Sequence, residues 1–385
     1  MAIDQDPCIS LLQQLVAIDS VNPSLVPGAA GEGAIAHAVA AHMRSLGLDV
    51  HLQEVAAGRP NVVGVLEGRD PGPSLMFCGH VDTVGVEGMA APFDPVVRDG
   101  RLYGRGAQDM KGGVAAMIDA ARVARARGFH RGRLIIAAVV DEEYASLGAD
   151  ALVTAWTADA AVVTEPTDLQ IGIGHKGFAW FDVETRGKAA HGSRPRDGRD
   201  AILRMGRVLH RLERLDRELQ ARPPHPVMAT ASLHASIIDG GRELSSYPDA
   251  CRLQMERRTI AGETAEGALQ EVEAILTELK ADDPEFEGRV QLTFARPPYE
   301  LGREHPLPRS LTRAAAASGV QTGTVGMSFW TDAAVLGGAG IPSVLFGPGG
   351  AGLHSSEEYV LVDDVLKCRD ALACLALARE EPASP

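Results

Sequence analysis

The stretch LIIAAVVDEE occupies residues 134–143, and its first seven residues are apolar and rich in β-branched types. A short apolar run of this kind predicts a strand buried on both faces, as in the mainly parallel sheets of α/β proteins. Three carboxylates follow at once, Asp141, Glu142 and Glu143. Because ligands of open α/β sheets bind beyond the carboxyl ends of the strands, we expect these carboxylates to lie at a ligand site.

Other short apolar runs also end in residues that bind metals or move protons. Ser74–Cys78 runs into His80 and Asp82, and Ala160–Val163 runs into Glu165. The carboxyl ends of parallel strands share one sheet edge, so these side chains are expected to converge. Two more residues complete the set: Asp109, where a helix begins, and His354, which a glycine-rich loop joins to the run 343–346.

Acidic groups gathered at one sheet edge repel each other. At a separation of about 4 Å each pair costs about 4 kcal/mol at an effective dielectric of about 20, so a positive group must lie among them. Two histidines and three carboxylates suit zinc, or cobalt or manganese, and they are enough for two ions if one carboxylate is shared. The five cysteines form no C-x-x-C pair and indicate neither a cysteine zinc site nor a disulfide framework.

The pattern of elements changes at about Gly177. Before it, apolar runs alternate with helical periodicity, which predicts an α/β fold with a mainly parallel sheet flanked by helices. Residues 177–290 instead follow the order β-α-β-β-α-β, which predicts an inserted α+β, ferredoxin-like domain. The first pattern then resumes, up to a closing helix at about 363–379. We therefore expect a discontinuous first domain made of residues 1–176 and 291–385.

Composition limits the possible functions. The 385 residues are 45% apolar, enough for a sizeable core. Lys and Arg number 37 against 51 Asp and Glu, a net charge of -14, so we expect no nucleic-acid partner. The amino terminus lacks a basic segment before an apolar one, and no stretch approaches the roughly 20 apolar residues of a membrane span. We expect a cytoplasmic protein without a membrane partner.

Five motifs in order carry a resemblance to a known family. They are GHVDTV (79–84), GRGAQDMKGG (104–113), DEE (141–143), EP (165–166) and HSSEE (354–358). Together they resemble the motifs of the M20 metallopeptidase family, and the resemblance covers nearly the whole chain. It implies a zinc-peptidase-like catalytic domain and an inserted dimerisation or lid domain.

The resemblance assigns a metal-binding role to five residues. His80 and Glu165 would bind one zinc ion, Glu143 and His354 would bind the other, and Asp109 would bridge the two. The two ions expected are zinc, with cobalt or manganese as the alternatives that the donor set allows.

The resemblance also assigns catalytic roles. Asp82 would hydrogen-bond His80 and fix its tautomer. Glu142 would be the general base that takes a proton from water and delivers it to the leaving amine. His191, in the segment AHGSRP, would reach across a dimer interface into the partner's active site.

Two substrate contacts follow from the same resemblance. Arg258 would hold the substrate carboxylate, which a guanidinium can bind at both oxygens, and Gly349 lies in a loop whose N–H groups can approach that carboxylate. The chain departs from the common pattern at two positions, Ser245 in place of Asn and Glu256 in place of Asp.

The implied activity is metal-dependent cleavage of the amide bond of an N-acyl amino acid, in the manner of the acetylornithine deacetylase branch of the family. A dinuclear zinc dipeptidase or a glutamate carboxypeptidase-like exopeptidase is the alternative. A non-catalytic metal-binding scaffold is an alternative of another class, and the complete ligand set together with Glu142 argues against it. The partners expected are a small N-acyl amino acid or dipeptide and a second copy of the chain.

Overall fold

The computed structural model describes residues 6–378, which divide into two compact units. The first unit contains the chain up to Ile173, Leu301–Val325 and the residues from Thr331 on, and the second contains Gly174–Glu300 and Gly326–Trp330. Residues 1–5 and 379–385 of the expected first domain, and with them the end of its closing helix, lie outside the described residues. The expected domain boundaries at 177 and 290 stay a prediction.

The helices and strands are numbered in chain order through both units. The helices are α1 (Pro7–Val16), α2 (Gly33–Ser45), α3 (Gly112–Ala126), α4 (Leu147–Ala155), α5 (Ala201–Ala221), α6 (Ala265–Asp282), α7 (Pro306–Ala317), α8 (Ala333–Gly338) and α9 (Val362–Ala378). The strands are β1 (Asp49–Ala56), β2 (Arg59–Glu67), β3 (Asp70–His80), β4 (Val96–Arg98), β5 (Arg101–Tyr103), β6 (Arg131–Val139), β7 (Ala160–Val163), β8 (Ile171–His175), β9 (Gly177–Arg186), β10 (Ser232–Gly240), β11 (Ala250–Thr259), β12 (Glu287–Arg296), β13 (Tyr299–Glu300), β14 (Thr324–Met327), β15 (Ser343–Leu345), β16 (Gly350–Ala351) and β17 (Tyr359–Leu361).

The first unit is built on a mixed sheet whose strands follow the order β1-β2-β6-β3-β7-β15-β8. The strands β6, β3, β7 and β15 are parallel, whereas β1, β2 and β8 add antiparallel neighbours at the two sides. The central strands are apolar on both faces because both faces are covered, and Phe77, Ile136 and Val162 are fully buried. The expected α/β fold is confirmed, with the parallel order confined to the middle of the sheet.

The second unit has the predicted order of elements. Its sheet follows the order β10-β11-β9-β12, and α5 and α6 pack against it. The strand residues Phe181, Val183 and Leu253 form a buried core with residues of the two helices, such as Val208 and Val272. The β-α-β-β-α-β expectation is therefore confirmed for this unit.

No helix among residues 6–378 is both long enough and apolar enough to span a membrane.

Candidate metal centre

The parallel strands of the first unit bring the expected ligands to one edge of the sheet. His80 is the last residue of β3 and pairs with Val139, the last residue of β6, so Glu142 and Glu143 follow at the same level. Glu165 comes two residues after the end of β7, whose Val163 pairs with Cys78 of β3. The sheet register thus explains why residues distant in sequence meet here.

His80 lies at the centre of a first group of carboxylates. Its Nε2 lies 3.2 Å from Asp109 Oδ1, 3.8 Å from Glu142 Oε2 and 4.0 Å from Glu165 Oε1. The ligand atoms of His80, Glu142 and Glu165 all lie within 4.8 Å of one another, as do those of His80, Asp109 and Glu143. The structure therefore brings the expected base, Glu142, into direct proximity with the expected ligands.

Asp109 joins this group to His354. The Oδ2 atom of Asp109 lies 3.3 Å from His354 Nε2, while its Oδ1 atom faces His80. His354 Nε2 also lies 3.1 Å from Glu143 Oε2. One carboxylate thus presents one oxygen to each histidine, which is the arrangement that a bridging ligand requires. His354 itself has a positive φ of 57° at the end of its loop.

Burial and hydrogen bonds raise the pKa values of most groups in the cluster. Burial raises the pKa of Glu142 and Glu165 well above the ordinary value, and burial together with Asp109 raises that of Glu143 to about 7. Hydrogen bonds to Asp109 and Glu143 raise the pKa of His354 to about 10. The four carboxylates that gather here, Asp109, Glu142, Glu143 and Glu165, outnumber the two histidines that could neutralise them.

The donor set fits divalent metal ions. Glu143 is buried, and its Oε1 atom has no hydrogen-bond partner among the described residues. An unsatisfied buried carboxylate oxygen is costly unless a cation or another donor reaches it. Imidazole and carboxylate donors suit zinc, cobalt and manganese. His80, Asp109, Glu143, Glu165 and His354 would hold such ions.

Asp82 contacts the cluster differently from the expectation. Its carboxylate lies 3.6 Å from His80 Nδ1, and the backbone carbonyl of Asp82 is the nearer acceptor at 3.0 Å. The carboxylate instead accepts the backbone N–H groups of Glu142 and Glu143, both at 3.1 Å. The expected carboxylate–imidazole hydrogen bond is thus replaced, because the DEE turn occupies the Asp82 oxygens.

A buried polar network behind Asp82 was missed by the sequence reasoning. Asn22 Nδ2 donates to Asp82 Oδ2 at 2.8 Å and to Asp141 Oδ1 at 3.1 Å. Arg59 binds Asp141 at 2.7 Å and Glu32 at 2.6 Å. Asp141 has a φ of 68°, which turns the chain between β6 and the two glutamates. No local signal in the sequence links residues 22, 59 and 141, because the network forms only in the folded chain.

The other two expected residues of the inserted segment belong to the second unit. His191 is exposed, and its Nδ1 lies 2.8 Å from Ser193 Oγ. Arg258 lies over the ring of Phe178 and donates its Nε–H to Glu256 at 2.5 Å, and Trp180 Nε1 donates to the same carboxylate at 2.9 Å. The two Nη groups of Arg258 make no hydrogen bond to any residue from 6 to 378. Glu256 therefore orients the guanidinium and leaves its other edge available.

Gly349 belongs to the first unit. Its N–H donates to Asp364 Oδ2 at 3.3 Å, and a Cβ atom there would lie 2.6 Å from Asp168 Oδ1. Two carboxylates therefore crowd this glycine, and the N–H expected to face a substrate carboxylate faces Asp364. The substrate role of Gly349 stays a prediction.

Comparison with known proteins supports the interpretation of these motifs. The model of peptidase family M20/M25/M40 matches residues 76–378. Acetylornithine deacetylase from Myxococcus xanthus is 34% identical over 336 residues, which cover 84% of this chain and 84% of that protein. N-formyl-4-amino-5-aminomethyl-2-methylpyrimidine deformylase from Bacillus subtilis is 29% identical over an alignment of 396 positions including gaps, which covers 94% of this chain and 92% of the relative.

Solved structures share the fold at lower identity. A tripeptidase from Staphylococcus aureus matches 97% of this chain and 98% of its own with a TM-score of 0.82 at 22% identity. An M20 family metallo-carboxypeptidase from Sulfolobus solfataricus matches 98% of this chain and 100% of its own with a TM-score of 0.80 at 16% identity. These two similarities show a common fold.

Proposed function

Since this chain belongs to peptidase family M20/M25/M40 and is a metal-dependent hydrolase of C–N amide bonds, we propose that it removes the acyl group from an N-acyl amino acid. The observation that carries the proposal is the position of Asp109, which directs one carboxylate oxygen to His80 and the other to His354. Both curated relatives described above bear the names of enzymes that remove a small acyl group from an amine, which favours a deacylase over an exopeptidase.

The cluster would bind two divalent ions, and we assign zinc, with cobalt or manganese as substitutes. His80 and Glu165 would hold one ion, Glu143 and His354 the other, and Asp109 would bridge them. Bound ions of this kind polarise a carbonyl and lower the pKa of water.

Glu142 is assigned the transfer of the proton. Its carboxylate lies among the ligands, is about one-tenth exposed and makes no contact with His354, unlike Glu143. The Asp82 carboxylate holds the backbone N–H of Glu142 and so fixes the position from which the side chain extends. Glu142 takes a proton from the attacking water and delivers it to the leaving amine.

We assign the binding of the substrate carboxylate to Arg258. We assign the stabilisation of the developing oxyanion to His191. The edge of the Arg258 guanidinium that carries the Nη groups is available for a bidentate contact with a carboxylate. His191 is exposed on its unit, as a residue that acts on a partner subunit must be. Gly349 is assigned a backbone contact near the substrate, in competition with Asp364.

We assign the homodimer interface to the second unit. Its edge strand β10 exposes Ile237 and Ile238, and α5 exposes Leu203, which is 71% accessible. An edge strand with exposed apolar residues is a surface that pairs with another chain. We also expect the protein to act in the cytoplasm on small molecules.

Metal removal tests the proposal. Treatment with a chelator should abolish hydrolysis of N-acetyl and N-succinyl amino acids, and Zn²⁺, Co²⁺ or Mn²⁺ should restore it. A panel that also contains dipeptides separates the alternatives, because an exopeptidase would prefer the dipeptides. A protein that binds two ions and hydrolyses no amide in the panel would be the scaffold and would contradict the proposed function.

A further inference from the structure

Glu358 is a buried carboxylate of the first unit that the proposed reaction does not use. Its side chain has no exposed surface, and it lies four residues after His354. It accepts Arg105 Nη1 at 2.6 Å and the backbone N–H groups of Gly106, Gln108 and Asp109 at 3.0, 2.9 and 3.1 Å. These donors compensate the carboxylate for its loss of water.

The partner of Glu358, Arg105, connects two further segments. Its Nε donates to the carbonyl of Gly85 at 3.0 Å, and its Nη2 donates to the carbonyl of Ser355 at 2.9 Å. Gly85 follows the segment of His80 and Asp82 within a few residues, and Ser355 is adjacent to His354. The Arg105–Glu358 pair therefore connects the three segments that carry His80, Asp109 and His354.

The turn at residues 104–109 donates to Glu358, and its packing restricts the backbone conformation next to Asp109. Gly106 has a φ of 77°, and a Cβ atom on it would lie 2.6 Å from Thr83 Cγ2 and 3.1 Å from Lys111 Cδ. Glu358 Oε1 accepts the N–H groups of Gln108 and Asp109, and these bonds hold the backbone of Asp109 against the 354–358 segment. In this position Asp109 directs one oxygen to each histidine.

We infer that Glu358, together with Arg105, is a positioning residue that sets the spacing of the two metal positions by fixing Asp109 against His354. Glu358 touches neither substrate nor metal and acts through these two ligands. The inference rests on the proposed two-ion site but not on the identity of the substrate.

The substitution Glu358→Gln tests this inference, with Glu357→Gln as the matched control. In Glu358→Gln an NH₂ group, which cannot accept, would face the backbone N–H donors. Glu357 is a suitable control because it is exposed and its side chain makes no hydrogen bond with the described residues. We expect Glu358→Gln to weaken metal binding by about 10- to 100-fold, the range found when partners behind metal ligands are removed. Isothermal titration of the metal-free protein with Zn²⁺ measures this directly, without any substrate.

A second readout separates positioning from general damage to the fold. Co²⁺ bound to Glu358→Gln should show altered visible absorption bands, and activity lost at limiting metal should return as metal is raised. The metal-free variant should retain the circular dichroism of the parent. Arg105→Lys keeps the positive charge but loses the guanidinium, whose three nitrogens donate to three different acceptors. This variant should therefore also bind metal more weakly than the parent.

Three outcomes would overturn the inference. They are parent-like metal affinity and Co²⁺ spectrum in Glu358→Gln, parent-like affinity in Arg105→Lys, or loss of folding in both variants, which would make the pair purely structural. Failure of the proposed function looks different, because the parent protein would then bind two ions without hydrolysing any N-acyl amino acid.

Discussion

Glu142 and Glu143 are neighbours in sequence, but their side chains make different contacts. Glu143 Oε2 pairs with His354, whereas the nearest basic atom to Glu142 is His80 Nε2 at 3.8 Å. Burial raises the pKa of both, so each depends on nearby positive charge to ionise. This difference in contacts supports the roles proposed above, a metal ligand for Glu143 and proton transfer for Glu142.

Replacement of Glu142 by glutamine should therefore separate catalysis from metal binding. Glutamine has nearly the same shape but accepts no proton, so we expect kcat to fall by about 10²- to 10⁴-fold. Metal analysis should still find two ions per chain. The exposed Glu357→Gln variant should keep the parent kcat. A Glu142→Gln enzyme with nearly full kcat, or with only one ion, would contradict the assignment of the base.

The pKa values of Glu143 and His354 predict how pH affects the metal-free protein. In the folded state the pKa of Glu143 is about 7, raised by burial and by Asp109, and that of His354 is about 10, raised by hydrogen bonds to Asp109 and Glu143. Both lie above their unfolded values of about 4.3 and 6.5, so stability falls with rising pH from about 5 to about 10. The pKa of Asp109 is lowered, and its effect lies at more acidic pH.

Bound metal should reverse this trend, because metal ligands bind in their deprotonated forms. We expect the increase in Tm produced by Zn²⁺ over a chelator-treated sample to grow between pH 5.5 and pH 8. Thermal unfolding at a series of pH values measures both curves, and Glu143→Gln should flatten the metal-free curve. A constant or shrinking difference in Tm would show that these two residues do not bind the metal.

At the scale of elements, α3 packs closely against Thr164, the residue between β7 and the proposed metal ligand Glu165. A Cβ atom on Gly113, in the first turn of α3, would lie 2.0 Å from the carbonyl oxygen of Thr164. Thr164 is adjacent to Glu165, so a displacement of the helix from Thr164 should also affect this proposed metal ligand. Only glycine permits so close an approach of helix and strand.

Gly113→Ala should thus lower the free energy of unfolding by about 1–3 kcal/mol and also weaken metal binding. Gly206→Ala is the matched control, because Gly206 lies exposed within α5 with nothing within 4 Å of its added Cβ. That change should instead stabilise the protein by about 0.5–1 kcal/mol. Urea unfolding of both variants measures the difference, and a neutral Gly113→Ala would show that the contact has room to relax.

The elements that the sequence predicted well are those with a continuous apolar pattern. The strands β3, β6 and β7 are buried on both faces toward their carboxyl ends, so the apolar pattern alone predicts that His80, Glu142 and Glu165 lie at one edge of the sheet. β1 was missed because its residues are half-buried or exposed, and β8 because its sequence IGIGH alternates with glycine. The short helix α8 contains too few residues for periodicity.

The site was predictable to the extent that its residues follow strands. Asn22, Arg59 and Glu32 could not be predicted, since a hydrogen bond such as Asn22 to Asp141 joins residues 119 positions apart. The contact of the Asp82 carboxylate with the DEE turn depends on the three-dimensional path of that turn. Long-range polar networks leave no periodic pattern in a single sequence.

At the scale of the whole molecule, the proposed dimer should depend on the exposed apolar residues of the second unit. Ile237→Asp places a charge on the edge strand β10, where Ile237 is 61% accessible. We expect the parent to elute as a dimer and the variant as a monomer. The monomer should have a lower kcat, because His191 could no longer reach the active site of a partner subunit. Leu52→Asp, on the edge strand β1 of the first unit, should leave the dimer intact. A fully active monomeric parent would contradict this role for the second unit.

The division of the first unit by the second has a consequence for the order of events during synthesis. Gly174–Glu300 leaves the ribosome as one continuous segment, and it can fold while the carboxyl-terminal part of the first unit is still untranslated. The strand β15 and His354 emerge later, so β7 can pair with β3 early but acquires its second parallel neighbour only after the inserted unit has been made. The proposed two-ion site therefore cannot be completed on a nascent chain until the segment that carries His354 has been translated.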